Sequence, residues 1–113
     1  MSKNLADLRE EYSLAELSEE SLHPNPVLQF ERWFEEARNA EVSEPNAMIL
    51  ATVDENGKPW TRTVLVKAFD ERGLVFYTNY SSLKVQQIDG NNKVSVTFPW
   101  FPLQRQVHIT GST

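Results

Sequence analysis

The run Arg62-Thr63-Val64-Leu65-Val66-Lys67 sets two cations and a hydroxyl among branched apolar residues. Tyr77-Thr78 and Ser81-Ser82-Leu83-Lys84 follow with more hydroxyls and a third cation. A phosphate dianion is held by charge-assisted donors, and Arg, Lys, Ser and Thr hydroxyls and free backbone N–H groups are the donors available. One cation about 4 Å from such a charge contributes roughly 4 kcal/mol at an effective dielectric near 20, before desolvation is subtracted. Two cations alone read as solvated strand residues. With hydroxyls and a serine-started turn close behind, the set reads as a cradle for a phosphorylated planar ligand on a β scaffold.

The elements that must position these residues follow from periodicity. Leu5, Leu8, Tyr12 and Ala15 recur at helical spacing, so 4–16 reads as a short amphipathic helix with a thin apolar stripe. Ser18–Pro24 reads as loop. Asn25-Pro26 is a helix start, and Phe30, Trp33, Phe34 and Ala37 give 26–41 a heavy aromatic face that packs on a sheet. After Ser43-Glu44-Pro45 the period becomes that of strands: Ala47–Val53, a turn at Asp54-Glu55-Asn56-Gly57, Trp60–Phe69, a turn at Asp70-Glu71-Arg72-Gly73, and Leu74–Thr78. Ser81 is placed to cap a short helix through Ile88 with Val85 and Ile88 inward. Val94–Phe98, a turn at Pro99-Trp100-Phe101-Pro102 and a strand from Arg105 to Thr110 complete the chain. Consecutive antiparallel strands of this kind predict a small Greek-key or meander barrel with flanking helices. The sheet edge left open at Gly111-Ser112-Thr113 calls either for closure by dimerisation or for a longer protein of which this is the front part.

One feature of the strand conflicts with a single site. Arg62 and Lys67 are five residues apart, so an ideal strand points them to opposite faces. Either a bulge brings both to one ligand, or they address different parts of it. The helix after Ser81-Ser82 has no such difficulty, because its free N–H groups and dipole favour an anion.

Composition narrows the function classes. The chain has 113 residues, 40% hydrophobic and 11% aromatic, enough for one modest core. It shows no apolar run of membrane-spanning length and no signal-peptide core at its start, so it reads as soluble and cytoplasmic, with no membrane partner. Zero cysteines remove disulfides, thiolate metal sites and cysteine nucleophiles. A net charge of −5 argues against a nucleic-acid partner. That charge is uneven: residues 1–44 sum to −7 and residues 45–113 to +2, so the anion-binding candidates all lie in the β part. His23 and His108 are isolated from any ligand partner at metal-binding spacing, and no metal site is assigned. Asp54 and Glu55 are explained by turn chemistry; Trp100 and Phe101 between prolines read as packing at a turn, with a wall for a flat ligand or an oligomer contact as the alternative. No Ser-His-acid set or glycine-rich phosphate loop is present, and no catalytic residue is assigned.

The residues then match a known pattern. Leu8-Arg9-Glu10-Glu11-Tyr12, Phe30-Glu31-Arg32-Trp33, Ala47-Met48 with Ala51-Thr52-Val53-Asp54, Arg62-x-Val64-Leu65-x-Lys67, Val75-Phe76-Tyr77-Thr78-Asn79, Ser82-x-Lys84, Phe98-Pro99-Trp100 and Arg105-Gln106-Val107 occur in unbroken order. Together they resemble the pyridoxamine 5′-phosphate oxidase family over about its first half. The resemblance implies a split β-barrel that dimerises, with FMN in clefts at the dimer interface. It implies oxidation of pyridoxine or pyridoxamine 5′-phosphate to pyridoxal 5′-phosphate, with O₂ reoxidising the flavin. By position, Arg62, Thr63, Val64, Leu65, Val66 and Lys67 resemble the FMN-binding strand, with Arg62 directed at the phosphate. Tyr77, Thr78, Ser82 and Lys84 match further FMN contacts, and Gln106 matches one supplied by the second subunit. Lys67 also matches a contact to the substrate phosphate, and Arg9 and Tyr12 match arm residues that close over substrate. The implied organisation is a helical arm at 1–24 and the front part of a split-barrel domain at 25–113.

Two departures set the alternatives. Leu83 stands where the family commonly carries an Arg, and the family's back half, with further substrate and flavin contacts, lies outside these residues. The chain is accordingly read as the front part of an FMN-dependent oxidase. The alternatives are a split-barrel protein that binds a flavin or another cofactor without this activity, and a non-catalytic dimerising fragment.

Overall fold

The computed structural model describes residue 5, residues 17–78 and residues 82–113. The helix expected over 4–16, with Arg9 and Tyr12, lies outside the described residues, as does Ser81. Helix α1 spans Pro26–Asn39 and starts as its sequence dictates: the Asn25 side chain accepts from the Val27 N–H at 2.9 Å, and Pro26 sits where no intrahelical N–H is needed. Strands β1 (Ala47–Val53), β2 (Pro59–Asp70), β3 (Gly73–Phe76), β4 (Lys93–Trp100) and β5 (Arg105–Ser112) form one antiparallel sheet, and helix α2 (Leu83–Gly90) lies between β3 and β4.

The sheet order is β3-β2-β1-β4-β5. Three hairpin-connected strands are followed by a fourth that returns beside the first, which is the Greek-key arrangement. The β1–β2 turn is built by Asp54, whose Oδ1 accepts from the N–H groups of Asn56 and Lys58 at 2.9 Å each. Gly57 closes the turn at φ +80, which a β-carbon would disfavour.

Alternation decides what each strand buries. Met48, Leu50 and Thr52 on β1, Val64 and Val66 on β2, and Val96, Phe98 and Trp100 on β4 point to one inner face and are buried. The aromatic face of α1 docks there. Phe30 meets Phe69 edge-on at 4.9 Å and lies 5.1 Å from Phe98 and 5.9 Å from Trp100. Each fully buried aromatic or aliphatic side chain contributes about 1.5–3 kcal/mol, so this cluster is the principal support of the fold. Trp100 also donates from Nε1 to the Pro45 carbonyl at 3.0 Å, which ties the α1–β1 connection to β4.

Several boundaries differ from the periodicity reading, most by one or two residues. β3 ends at Phe76, so Tyr77 and Thr78 fall in the connection to α2. Ser82 rather than Ser81 holds the N-cap position of α2. β4 continues through Pro99 and Trp100, leaving only a 3-10 turn at Phe101–Leu103. Pro99 pairs with Gln106 of β5 and lies beyond the β1 pairing, which covers only Ser95, Val96 and Thr97 of β4. Within the segment expected as loop, Glu19–Ser21 forms a 3-10 turn closed by reciprocal Ser18 and Ser21 hydrogen bonds.

Candidate anion site at the start of the second helix

Arg62 lies opposite Leu50 in the β1–β2 register, two residues along from Thr52 on the same inner face. Diagonal neighbours in a sheet are within reach of a long side chain. The guanidinium donates from Nη1 to the Leu50 carbonyl at 3.1 Å and to Thr52 Oγ1 at 2.8 Å, and from Nη2 to Gln87 Oε1 at 2.8 Å. Thr52 in turn donates to Gln87 Oε1. Arginine cannot accept a hydrogen bond, so the oxygen of the Gln87 carboxamide is the atom that faces it and the amide orientation is fixed. Burial lowers the Arg62 pKa from its ordinary value, and a guanidinium remains charged at neutral pH.

Gln87 connects this cation to α2. Lys84 is one helical turn before Gln87, and residues three apart on a helix are neighbours about 5–6 Å apart at their β-carbons. The Arg62–Gln87 bond therefore ties a cation of β2 to the helix that carries Lys84. At the beginning of the helix the Ser82 side chain makes no capping bond, and its hydroxyl lies 3.5 Å from that of Thr78. The first N–H groups of a helix have no internal partner. Among the described residues neither Arg62 nor Lys84 is paired with a carboxylate. Cations without carboxylate partners, a pair of neighbouring hydroxyls and a helix start form a donor set suited to a phosphoryl group, so the residues present fit the phosphate end of FMN.

The remaining candidates divide between faces. Val64 and Val66 are buried in the inner core at 9% and 6% exposure, whereas Thr63, Leu65 and Lys67 are exposed on the outer side. The register of β2 against β3 shifts between Val66 and Ala68, which puts a bulge at Lys67. The bulge lies at the far end from Arg62 and leaves Lys67 exposed, so the two cations serve different regions. Tyr77 is 76% exposed beside the connection to α2. Gln106 is exposed on the outer face of β5, opposite Pro99 and three strands away from β2. One chain does not bring Gln106 and Arg62 together.

Beside Gln106, Arg105 stacks 4.7 Å over the Trp33 ring and pairs with Glu36, which fastens α1 to β5. His23 Nδ1 accepts from the Asn25 N–H at 2.9 Å, and His108 Nδ1 lies 3.0 Å from Thr97 Oγ1. Among the described residues no group of three or more His, Asp or Glu side chains could hold a metal ion, and no helix is long and apolar enough to cross a membrane. The inner face also carries an open, largely apolar cleft of about 850 Å³, lined by Met48, Leu50, Val85, Ile88, Val96 and Ile109 among others.

Sequence reasoning missed Thr52 and Gln87. Thr52 had a signal, being a polar residue at inward parity after Met48 and Leu50. Gln87 had a weaker one, its spacing of three from Lys84.

Comparison with known proteins gives a consistent picture. The family profile described as pyridoxamine 5′-phosphate oxidase matches residues 34–113. A pyridoxine/pyridoxamine 5′-phosphate oxidase of Crocosphaera subtropica is 54% identical over 96% of this chain and 51% of its own length. One from Rubrobacter xylanophilus is 52% identical over 97% of the chain and 51% of its own length. The chain thus spans about half the length of these curated relatives. Among solved structures, PhzG from Burkholderia lata, in complex with tetrahydrophenazine-1-carboxylic acid, superposes with a TM-score of 0.78 at 28% identity, over 82% of this chain and 46% of its own. A pyridoxamine 5′-phosphate oxidase-related, FMN binding protein from Nostoc punctiforme gives a TM-score of 0.66 at 25% identity, over 81% and 47%. The sheet with its two helices is the half-barrel of this split-barrel fold.

Proposed function

Because this chain belongs to the pyridoxamine 5′-phosphate oxidase family, we propose that it supplies the phosphate-binding half of an FMN-dependent oxidase. That enzyme converts pyridoxamine or pyridoxine 5′-phosphate to pyridoxal 5′-phosphate with O₂ as electron acceptor. The observation that carries this reading is Arg62, fixed on the inner face by neutral acceptors and joined through Gln87 to the helix that begins at Ser82.

In this reading Arg62, Ser82 and Lys84 hold the FMN phosphate, with Thr78 beside them. The exposed Tyr77 ring and the β2 strand, Thr63 through Val66, flank the rest of the cofactor, with Val64 and Val66 acting through backbone and core shape. Lys67, on the outer side, holds the substrate phosphate, with Arg9 and Tyr12 closing over it. Gln106 serves the flavin of the partner copy in a cytoplasmic homodimer. Its separation from Arg62 and the exposure of Ile49 (38%) and Leu65 (37%) on the outer face support that arrangement. When bound, FMN supplies two-electron oxidation of the substrate carbon. The residues of this chain bind and orient, and supply positive charge where phosphate sits.

The test is direct. The purified intact protein is expected to bind FMN, to run as a dimer in light scattering, and to form pyridoxal 5′-phosphate with O₂ consumption. Binding of FMN without product formation would favour a second reading, a flavin-binding split barrel with another reaction. Leu83, 52% exposed where the family commonly has an Arg, is the observation behind that alternative. Absence of FMN binding would end both.

A further inference from the structure

Gln87 is 4% exposed, and its Nε2 is buried with no hydrogen-bond partner among the described residues. Leaving a buried donor unpaired carries the full desolvation penalty of that group, and an apolar side chain of the same size would avoid it. Buried polar groups that break this rule cluster at functional sites. What the carboxamide does provide is its oxygen, which takes a hydrogen bond from Arg62 and another from Thr52.

All three acceptors around Arg62 are electrically neutral: the Leu50 carbonyl, the Thr52 hydroxyl and the Gln87 amide oxygen. A carboxylate in the place of Gln87 would hold the guanidinium more strongly but would cancel its charge. Neutral acceptors orient the fork and leave the full positive charge for an incoming anion. Three of the five N–H groups of the guanidinium are used in these bonds, so donors remain for a ligand.

Resting on the FMN reading above, we propose that Gln87 is a positioning residue for the phosphate subsite. It locks Arg62 to α2 without neutralising it, and so sets the distance between Arg62 and the Ser82 and Lys84 side of the anion site. Thr52 assists by bonding both partners.

The experiment compares FMN with riboflavin, which lacks only the phosphate, by fluorescence titration of the intact apoprotein. Gln87→Glu keeps size and acceptor but adds a negative charge. The FMN-over-riboflavin preference is expected to fall at least roughly tenfold, the equivalent of about 1.4 kcal/mol, while riboflavin affinity stays the same. Gln87→Met removes the acceptor and leaves Arg62 charged but loose, so a smaller loss confined to FMN is expected. Stabilisation of the apoprotein by inorganic phosphate, read as a thermal shift, should be present in the parent and absent in Gln87→Glu.

A purely structural role would weaken both flavins alike. An unchanged FMN-over-riboflavin ratio in both variants, with the parent preferring FMN, overturns this inference and leaves the FMN reading standing. A parent protein with no preference for FMN overturns both. Should Gln87→Glu fail to fold, the ratio in Gln87→Met decides the matter by itself.

Discussion

At the residue scale the candidate site is a matter of which charges are compensated. Arg62 and Lys84 lack carboxylate partners among the described residues, and a hydrogen bond to a charged group contributes about 1.5–3 kcal/mol. Arg62→Ala or Lys84→Ala should therefore weaken FMN binding roughly 10- to 150-fold, and Leu83→Arg should tighten it. Unchanged affinity in both alanine variants by flavin fluorescence titration removes the assignment. Asp54 shows the opposite use of charge. The Trp60 indole N–H at 3.0 Å, helped by the backbone N–H groups of Lys58 and Asn56, holds its carboxyl below the ordinary 3.8. A carboxylate whose folded pKa lies below its unfolded one adds stability above the unfolded value and loses it as pH falls through the folded value. Asp54→Asn should thus be less stable than the parent near neutral pH, and the gap should close under strong acid. Melting temperatures measured across that range check it, and a gap that persists unchanged in acid contradicts it.

At the element scale the scaffold was legible where local pattern and packing agree. The alternation in Ala47–Val53 located β1 residue for residue, and Asn25-Pro26 located the start of α1. The aromatic face of α1 packs on the sheet because Phe30 reaches Phe69, Phe98 and Trp100 together. Phe30→Ala should cost about 3–5 kcal/mol, the range for emptying such a position, and should release α1 from the sheet. Chemical denaturation measures the loss, and a cost below about 1 kcal/mol would mean that the α1 face carries little of the fold. Illegible were the features that depend on how elements meet. The opposite faces of Arg62 and Lys67 followed from parity, but the bulge at Lys67 depends on the pairing with β3. Nothing local in 83–90 shows that Gln87 turns toward Arg62, because that bond spans 25 residues and exists only once α2 has docked beside β1. Thr52 was readable as inward but not as a hydrogen-bond partner, since parity gives a face and not a contact.

At the scale of the whole molecule the site is divided between regions that one chain of this length does not join. Arg62 is bonded to Gln87 of α2, the helix that carries Lys84 and is preceded by Ser82, Lys67 lies at the bulge on the outer side, and Gln106 is three strands away. The inner face meanwhile carries an open apolar cleft of about 850 Å³, and the curated relatives run to about twice this length. Redox transfer requires the reacting atoms to be held within about 3–3.5 Å in the right orientation, so groups that clamp the substrate matter as much as those that hold the cofactor. On the proposed assignment, residues 1–113 offer Lys67, Arg9 and Tyr12 for that clamp. Loss of positioning alone costs about 10²-fold in rate. Residues 1–113 should therefore turn over pyridoxamine 5′-phosphate at least roughly 10²-fold more slowly than the intact protein, both assayed for pyridoxal 5′-phosphate formation with added FMN under air. The same pair should differ far less in the preference for FMN over riboflavin, because the phosphate contacts proposed above lie within these residues. Comparable turnover from the two would show that the clamp is complete in this chain.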